Sequence, residues 1–361
     1  MLKLYYTEFC YLLPMMSIFY YSWFFFIESN FMNVKVKTLK TDKISPTNIV
    51  KKIHYSLFIN WINLQLITVL ISLILVKGYT SVFLWDHFFL NNFNLLLIQT
   101  SLFLIMVIFT IFKTLITNNI NYSTDYFFSL NNLIIFLILI FLTNNLFAFI
   151  FLLELNSILI FYKFVVSKYW YKSTPNLNEK KQDLENRHIP KNYLNMLFFQ
   201  YWSTFFSSIL IFFSLANIFY LYGSTEFFFL EYLSLINNNN SLIKINFINF
   251  IWIPFLVGFL MKIGLTPFHL FKIEVYKGLP IISILVYTTF YFFIYFIYFT
   301  LLLNYQLDFL KIFLNSILFI IIITGAIYIM SLLYDVTALK SFFAYSTIIN
   351  SLLFFVATYL Y

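Results

Sequence analysis

Long apolar runs alternate with short polar connections along almost the whole chain. Ten runs stand out, at roughly residues 9–27, 56–76, 93–114, 126–143, 145–166, 193–222, 247–270, 280–303, 309–333 and 341–360. A helix needs about 20 apolar residues to cross a bilayer, and most of these runs reach that length without internal charge. They lack the alternation of outer-membrane strands. The pattern therefore predicts an all-α polytopic membrane protein with about ten transmembrane helices. The run 193–222 is longer and is expected to tilt or to emerge from the membrane.

One stretch departs from the pattern. In MKIGLTPFHLFKIEVYKGLP, residues 261–280, Lys262 follows most of an apolar run, and Thr266 and Pro267 come four and five residues later. Proline lacks an N–H and its ring clashes with the preceding turn, so a broken helix is expected near Pro267. Non-helical backbone at membrane depth survives only inside protein or beside a wet cavity. Lys262 is then a candidate ion-path group; the alternative is a lysine that snorkels to one surface.

The basic residues give an orientation. Lys35, Lys37, Lys40, Lys43, Lys51 and Lys52 lie between spans one and two, and Lys113 follows span three. Lys163, Lys168, Lys172, Lys180, Lys181, Arg187 and Lys191 are assigned between spans five and six, Lys272 and Lys277 between seven and eight, and Lys340 between nine and ten. The opposite side keeps Lys3, Lys77, Lys244 and Lys311. Such asymmetry places the odd-numbered connections inside. The formal charge of +8 thus reports topology. The basic residues are spread over separate connections and no binding module is visible, so nucleic acid is not an expected partner; membrane lipids are.

Two ionisable groups fall well within spans. Glu154 lies about ten residues from either end of its run, where a carboxylate costs about 3 kcal/mol on insertion scales. It should face protein and find a partner or water. Lys262 is the other. A carboxylate beside an ammonium favours the charged form of both, and desolvation opposes it. Such a pair suits a proton relay; it equally suits a static ion pair that locks helix packing. His54, His87 and His188 lie in connections or at span ends without metal-like spacing and read as solvated or internally satisfied. Residues 168–191 read as a solvated loop. In the connection 225–245, the Phe227–Leu230 stretch is a candidate for lying on the membrane surface.

Composition adds a compartment. One cysteine, Cys10, excludes an internal disulfide framework and a cysteine-ligated cluster. No cleavable signal pattern precedes the first span. Phe 51 and Tyr 28 stand against Gly 6 and a single arginine, Arg187. The favoured residues have A/T-rich codons, as in a protist mitochondrial genome. The many aromatics then read as lipid-facing filler. A mitochondrial inner-membrane location, with the odd connections in the matrix, is the expectation.

Three stretches carry a resemblance. FLMKIGLTPFHLFKIEVYKGLP at 259–280 closely resembles the broken seventh helix and following loop of NADH dehydrogenase subunit 2, an antiporter-like membrane subunit of respiratory complex I. LLELNSI at 152–158 resembles that family's fifth-helix motif, with Glu154 at its glutamate. DVTALKSFFAYSTIINS at 335–351 resembles the connection into its tenth helix. Weaker likeness appears at FLWDHFFLNNF, 83–93, and LYGST, 221–225. The sibling subunits 4 and 5 share the architecture; Pro267-Phe268-His269 and Glu274-Val275 favour subunit 2.

The resemblance implies an antiporter-like fold built on two inverted five-helix repeats. It divides this chain into 1–125 with spans one to three, 126–303 as a first repeat, and 304–361 as the start of a second, incomplete one. It implies that Glu154 tunes Lys262, that Lys262 carries or gates a proton, and that no cofactor binds here. It implies other membrane-arm subunits of complex I as partners. Two departures stand out. The family's eighth-helix lysine position is Phe292 here, and no Asp, Glu, Lys, Arg or His occurs from Ile281 to Leu307. Tyr287, Thr288, Thr289 and Tyr291 offer only hydroxyls. The family's helices eleven to fourteen have no counterpart, so a separate polypeptide supplying them is expected, as in a split subunit. The competing functions are a structural subunit that has lost transport and, less favoured by the codon bias, a cation/proton antiporter subunit. Residues 1–50 match no family pattern.

Overall fold

The structure is a computed structural model of the 361-residue chain. It describes residues 67, 81–83, 88–118, 124–167, 191–227, 229, 230, 232, 242–291, 311–334 and 336–360. Spans one and two, Cys10, His54, His87, Arg187, His188 and Phe292 lie outside the described residues, Ile67 excepted.

A short antiparallel hairpin comes first, β1 (Ser81–Phe83) against β2 (Phe88–Leu90), with Val82 opposite Phe89. It was not expected from the helical pattern. Its branched and aromatic residues favour extended backbone, and three-residue strands leave almost no periodicity to read. Helices follow: α1 (Asn92–Asn118), α2 (Thr124–Leu142), α3 (Leu146–Val166), α4 (Lys191–Tyr222), α5 (Leu242–Ile263), α6 (Leu270–Gly278), α7 (Ile281–Tyr291), α8 (Lys311–Leu333) and α9 (Leu339–Leu360). All but α6 fall on runs read as apolar spans; α6 lies in the stretch read as the connection between the runs 247–270 and 280–303. Among the described residues, two helical segments, Leu146–Val166 and Asn192–Tyr222, are long and apolar enough to cross a membrane.

The chain forms two compact units, Met1–Thr143 with Ile158–Glu179, and Asn144–Ser157 with Lys180–Tyr361. In the first, α1 packs on α2 through buried Leu95, Ile98, Leu102, Leu133, Ile134 and Leu137. In the second, α4 packs on both α5 and α6, and α9 packs on α6 and α8.

The connections of the second unit meet in two groups. At one end, the entry to α3 is laced to the exit from α4. The Leu146 N–H donates to the Thr225 carbonyl at 2.9 Å, and the Phe227 N–H to the Asn144 carbonyl at 3.2 Å. Asn145 Oδ1 accepts from the Phe147 N–H at 2.9 Å and from Thr225 Oγ1 at 2.6 Å. It caps α3, satisfying an N–H that has no partner within the helix. Phe227 and Leu230 are buried here, while Phe229 between them is exposed. At the other end, Gly278 lies against Met196 and Asn192 at the start of α4. Lys340 Nζ donates to the Leu279 carbonyl at 2.7 Å, just past the end of α6, and partial burial pulls the pKa of this ammonium below the usual lysine value. The start of α3 and the exit from α4 thus meet at one end, and the end of α6 meets the starts of α4 and α9 at the other.

Candidate ion-pair site beside a helix break

The site begins where α5 ends. Gly264 adopts φ 73°, a left-handed conformation that a Cβ disfavours. Its N–H donates to the Leu260 carbonyl at 3.0 Å, and the Leu265 N–H reaches the same carbonyl at 3.1 Å. This is a glycine-terminated helix end of the Schellman type. The helix therefore stops at Ile263, before Pro267, and resumes at Leu270. Pro267 prevents continuation; Gly264 makes the stop. Upstream, α5 runs through Pro254 without ending.

The break docks on α8. Gly325 leaves room for the Thr266 side chain, which a Cβ at position 325 would overlap. Thr266 Oγ1 lies 3.4 Å from the Ile321 carbonyl, a long contact. The His269 ring meets the Tyr328 edge at 5.6 Å between centroids. His269 is buried, and neither ring nitrogen has a hydrogen-bond partner among the described residues.

Lys262 occupies the last turn of α5. Unpaired carbonyls and the negative end of the helix dipole favour a cation there. Its ammonium forms an ion pair with Glu154 Oε1, on a residue 108 positions away in α3. The lysine side chain is 1% exposed and the glutamate 18%. The second carboxylate oxygen meets two serines. Ser208 Oγ, from α4, lies 2.7 Å from Glu154 Oε2 and 2.7 Å from the Thr204 carbonyl. Ser157 Oγ lies 3.3 Å from Oε2 and 2.7 Å from the Glu154 carbonyl. A hydroxyl has one proton to donate. Each serine therefore holds a donor that can turn between its own helix and the carboxylate, matching changes in the carboxylate's charge.

Two close approaches bring the three helices together. Phe149 and Phe259 stack at 6.0 Å between α3 and α5. Gly258 lets α5 approach α4: a Cβ there would stand 2.7 Å from Ile211 Cγ1 and 3.0 Å from the Ser207 carbonyl. The site lies about one turn further along both helices. Replacing Ser208 with alanine should weaken the site by about 1 kcal/mol, the usual loss for one hydrogen bond to a partly exposed partner. Thermal inactivation of the assembled membrane complex reads this; an unchanged midpoint would show that Ser208 spends its proton on Thr204.

The structure brings Glu154 and Lys262 together. It also changes the placement of two lysines. Lys163 and Lys272 were assigned to connections, yet Lys163 lies in the last turn of α3 and is 2% exposed, while Lys272 lies within α6 and is 7% exposed. A helix end buried by neighbouring elements cannot be told from a solvated connection by charge alone. For Lys272 one signal existed: Phe271, Ile273, Val275 and Tyr276 surround it and are also buried. Ser208 carried no signal, because serines recur throughout α4.

Residues 194–360 match the family described as NADH:quinone oxidoreductase/Mrp antiporter, TM. The match spans the α4–α5 approach, the helix break and the α8–α9 pair. Respiratory complex I from Thermus thermophilus with bound aureothin contains a similar chain, at TM-score 0.60 and 13% identity, covering 87% of this chain and 64% of that one. A chain of the membrane-bound sulfane sulfur reductase, an archaeal respiratory membrane complex, gives TM-score 0.63 and 12% identity over 98% and 64%. The fold is that of an antiporter-like membrane subunit of complex I type. An uncharacterized mitochondrial protein, ORF4 of Paramecium tetraurelia, is 39% identical over 82 residues, 22% of this chain and 53% of that protein. The chain thus spans between half and two thirds of the length of these relatives.

Proposed function

We propose that the chain is a membrane-arm subunit of a mitochondrial proton-translocating NADH:ubiquinone oxidoreductase, in the position of its antiporter-like subunit 2, and that Glu154 and Lys262 hold and pass a proton. The observation that carries this reading is the buried Lys262–Glu154 ion pair beside a helix break. A charge placed deep in a membrane protein and set at a helix terminus is costly unless it acts. The family match and the mitochondrial relative support the choice of complex and compartment.

The chemistry follows from the geometry. Protonating Glu154 removes the counter-charge of Lys262 and favours loss of the lysine's proton; restoring the carboxylate draws it back. Ser208 and Ser157 can turn toward or away from Oε2 as its charge changes. In the assembled complex, other membrane-arm subunits would be the neighbours. Further helices would cover apolar faces such as Ile320, Ile327 and Met330 of α8 and Leu353 of α9, which are exposed here.

A second reading is a scaffold subunit without transport. The absence of Asp, Glu, Lys, Arg and His from Ile281 to Leu307 favours it. The experiment has two stages. On a native gel of solubilised inner membranes, the chain should migrate with NADH oxidation activity; migration apart from it would refute the assignment to this complex. Lys262→Met in the assembled complex should then lower the number of protons moved per electron. An unchanged number would support the scaffold.

A further inference from the structure

Besides Lys262, one other lysine among the described residues of the second unit is buried to a similar degree, Lys272. Its environment differs. Among the described residues its ammonium has no hydrogen-bond or ion-pair partner. The helices that α6 packs against, α4 and α9, contain no aspartate or glutamate. Glu274, two residues along, pairs instead with Lys277 at 2.6 Å on the exposed side. The Lys340 ammonium rests on the Leu279 carbonyl. His269, at the start of α6, and Tyr276 within it are the other titratable groups of this element.

The position of Lys272 relates it to the ion pair. Its stem lies over the helix break: a Cβ on Gly264 would stand 3.1 Å from Lys272 Cδ and 3.2 Å from its Cβ. Gly264 is two residues beyond Lys262. The two buried lysines therefore flank one break, the first with a carboxylate and the second without.

We infer that Lys272 is a second proton-holding group of the same path, taking the proton that leaves Lys262 across the helix break. A buried ammonium without a counter-charge is held weakly and changes protonation state readily. A lysine can do this because its amine is a stable neutral form. In the transfer an N–H bond at Lys262 Nζ breaks and one at Lys272 Nζ forms; no other bond changes and total charge is conserved. A positive charge on Lys272 disfavours the return of charge to Lys262 until the proton moves on. The inference rests on the proton-path reading of the Glu154–Lys262 pair.

The test uses the intact complex in sealed membrane vesicles, with Lys272→Gln, Lys272→Arg and, as an exposed control, Lys277→Gln. Protons moved per electron are compared at equal amounts of assembled complex. Lys272→Gln should lose coupled proton movement. Lys272→Arg should lose it too, although it keeps the positive charge, because a guanidinium does not release its proton; Lys277→Gln should keep it. If arginine restores full movement, Lys272 is only a fixed charge and the inference falls. Should Lys272→Gln fail to assemble, the arginine variant alone decides. If Lys272→Arg pumps normally while Glu154→Gln does not, this inference fails and the ion-pair reading stands. If both pump normally, the ion-pair reading fails as well.

Discussion

Glu154→Gln is expected to destabilise the assembled subunit by about 3 kcal/mol, more than any other single change at the site. The substitution keeps the shape and removes the charge. Lys262, 1% exposed at its side chain, is then left as a buried ammonium without its counter-charge, a situation that costs about 3–5 kcal/mol. The 18% exposure of Glu154 puts the effect at the lower end. Lys262→Met should cost less, because a partly exposed carboxylate keeps Ser208 and Ser157 as donors and some access to water. The double variant should be nearly as stable as the original chain, since neither charge is then orphaned. Thermal inactivation of the four complexes forms a double-mutant cycle. A large non-additive term is expected. Simple additivity would mean that the two side chains do not interact.

Gly258→Val is expected to have the second-largest effect. Even the first added carbon meets Ile211 Cγ1 at 2.7 Å and the backbone oxygen of Ser207 at 3.0 Å. The isoleucine can turn; the carbonyl cannot without moving α4. Overpacking of this kind costs about 1–3 kcal/mol. Its consequence for the site is specific: a displaced α4 carries Ser208 away from Glu154. Gly258→Ala should show the same effect to a smaller degree. Thermal inactivation reads the stability, and proton movement per electron should fall with it. A valine variant that inactivates at the same temperature would show that the two helices are not in close contact at this point.

Much of this arrangement is legible in the chain, and the limits have physical causes. Glu154 and Lys262 stand out because charge in an apolar run is expensive, whatever the fold. That they meet across 108 residues depends on packing set by Gly258 and the Phe149–Phe259 stack, which no local pattern reveals. The break is announced by Pro267, yet the stop itself is at Gly264, whose positive φ a sequence pattern does not display. The burial of Lys272 is not legible because a short, moderately polar helix looks like a connection until its neighbours bury it. The β1–β2 pairing is not legible in the sequence because three-residue strands show no period.

The double variant, Glu154→Gln with Lys262→Met, gives the most direct test of the central claim, that this pair moves protons and is not merely a brace. It removes both charges without leaving either one buried alone, so assembly should survive. Protons translocated per electron, measured in sealed vesicles at matched NADH oxidation, should be lower than in the original complex. The same ratio in both would contradict the account.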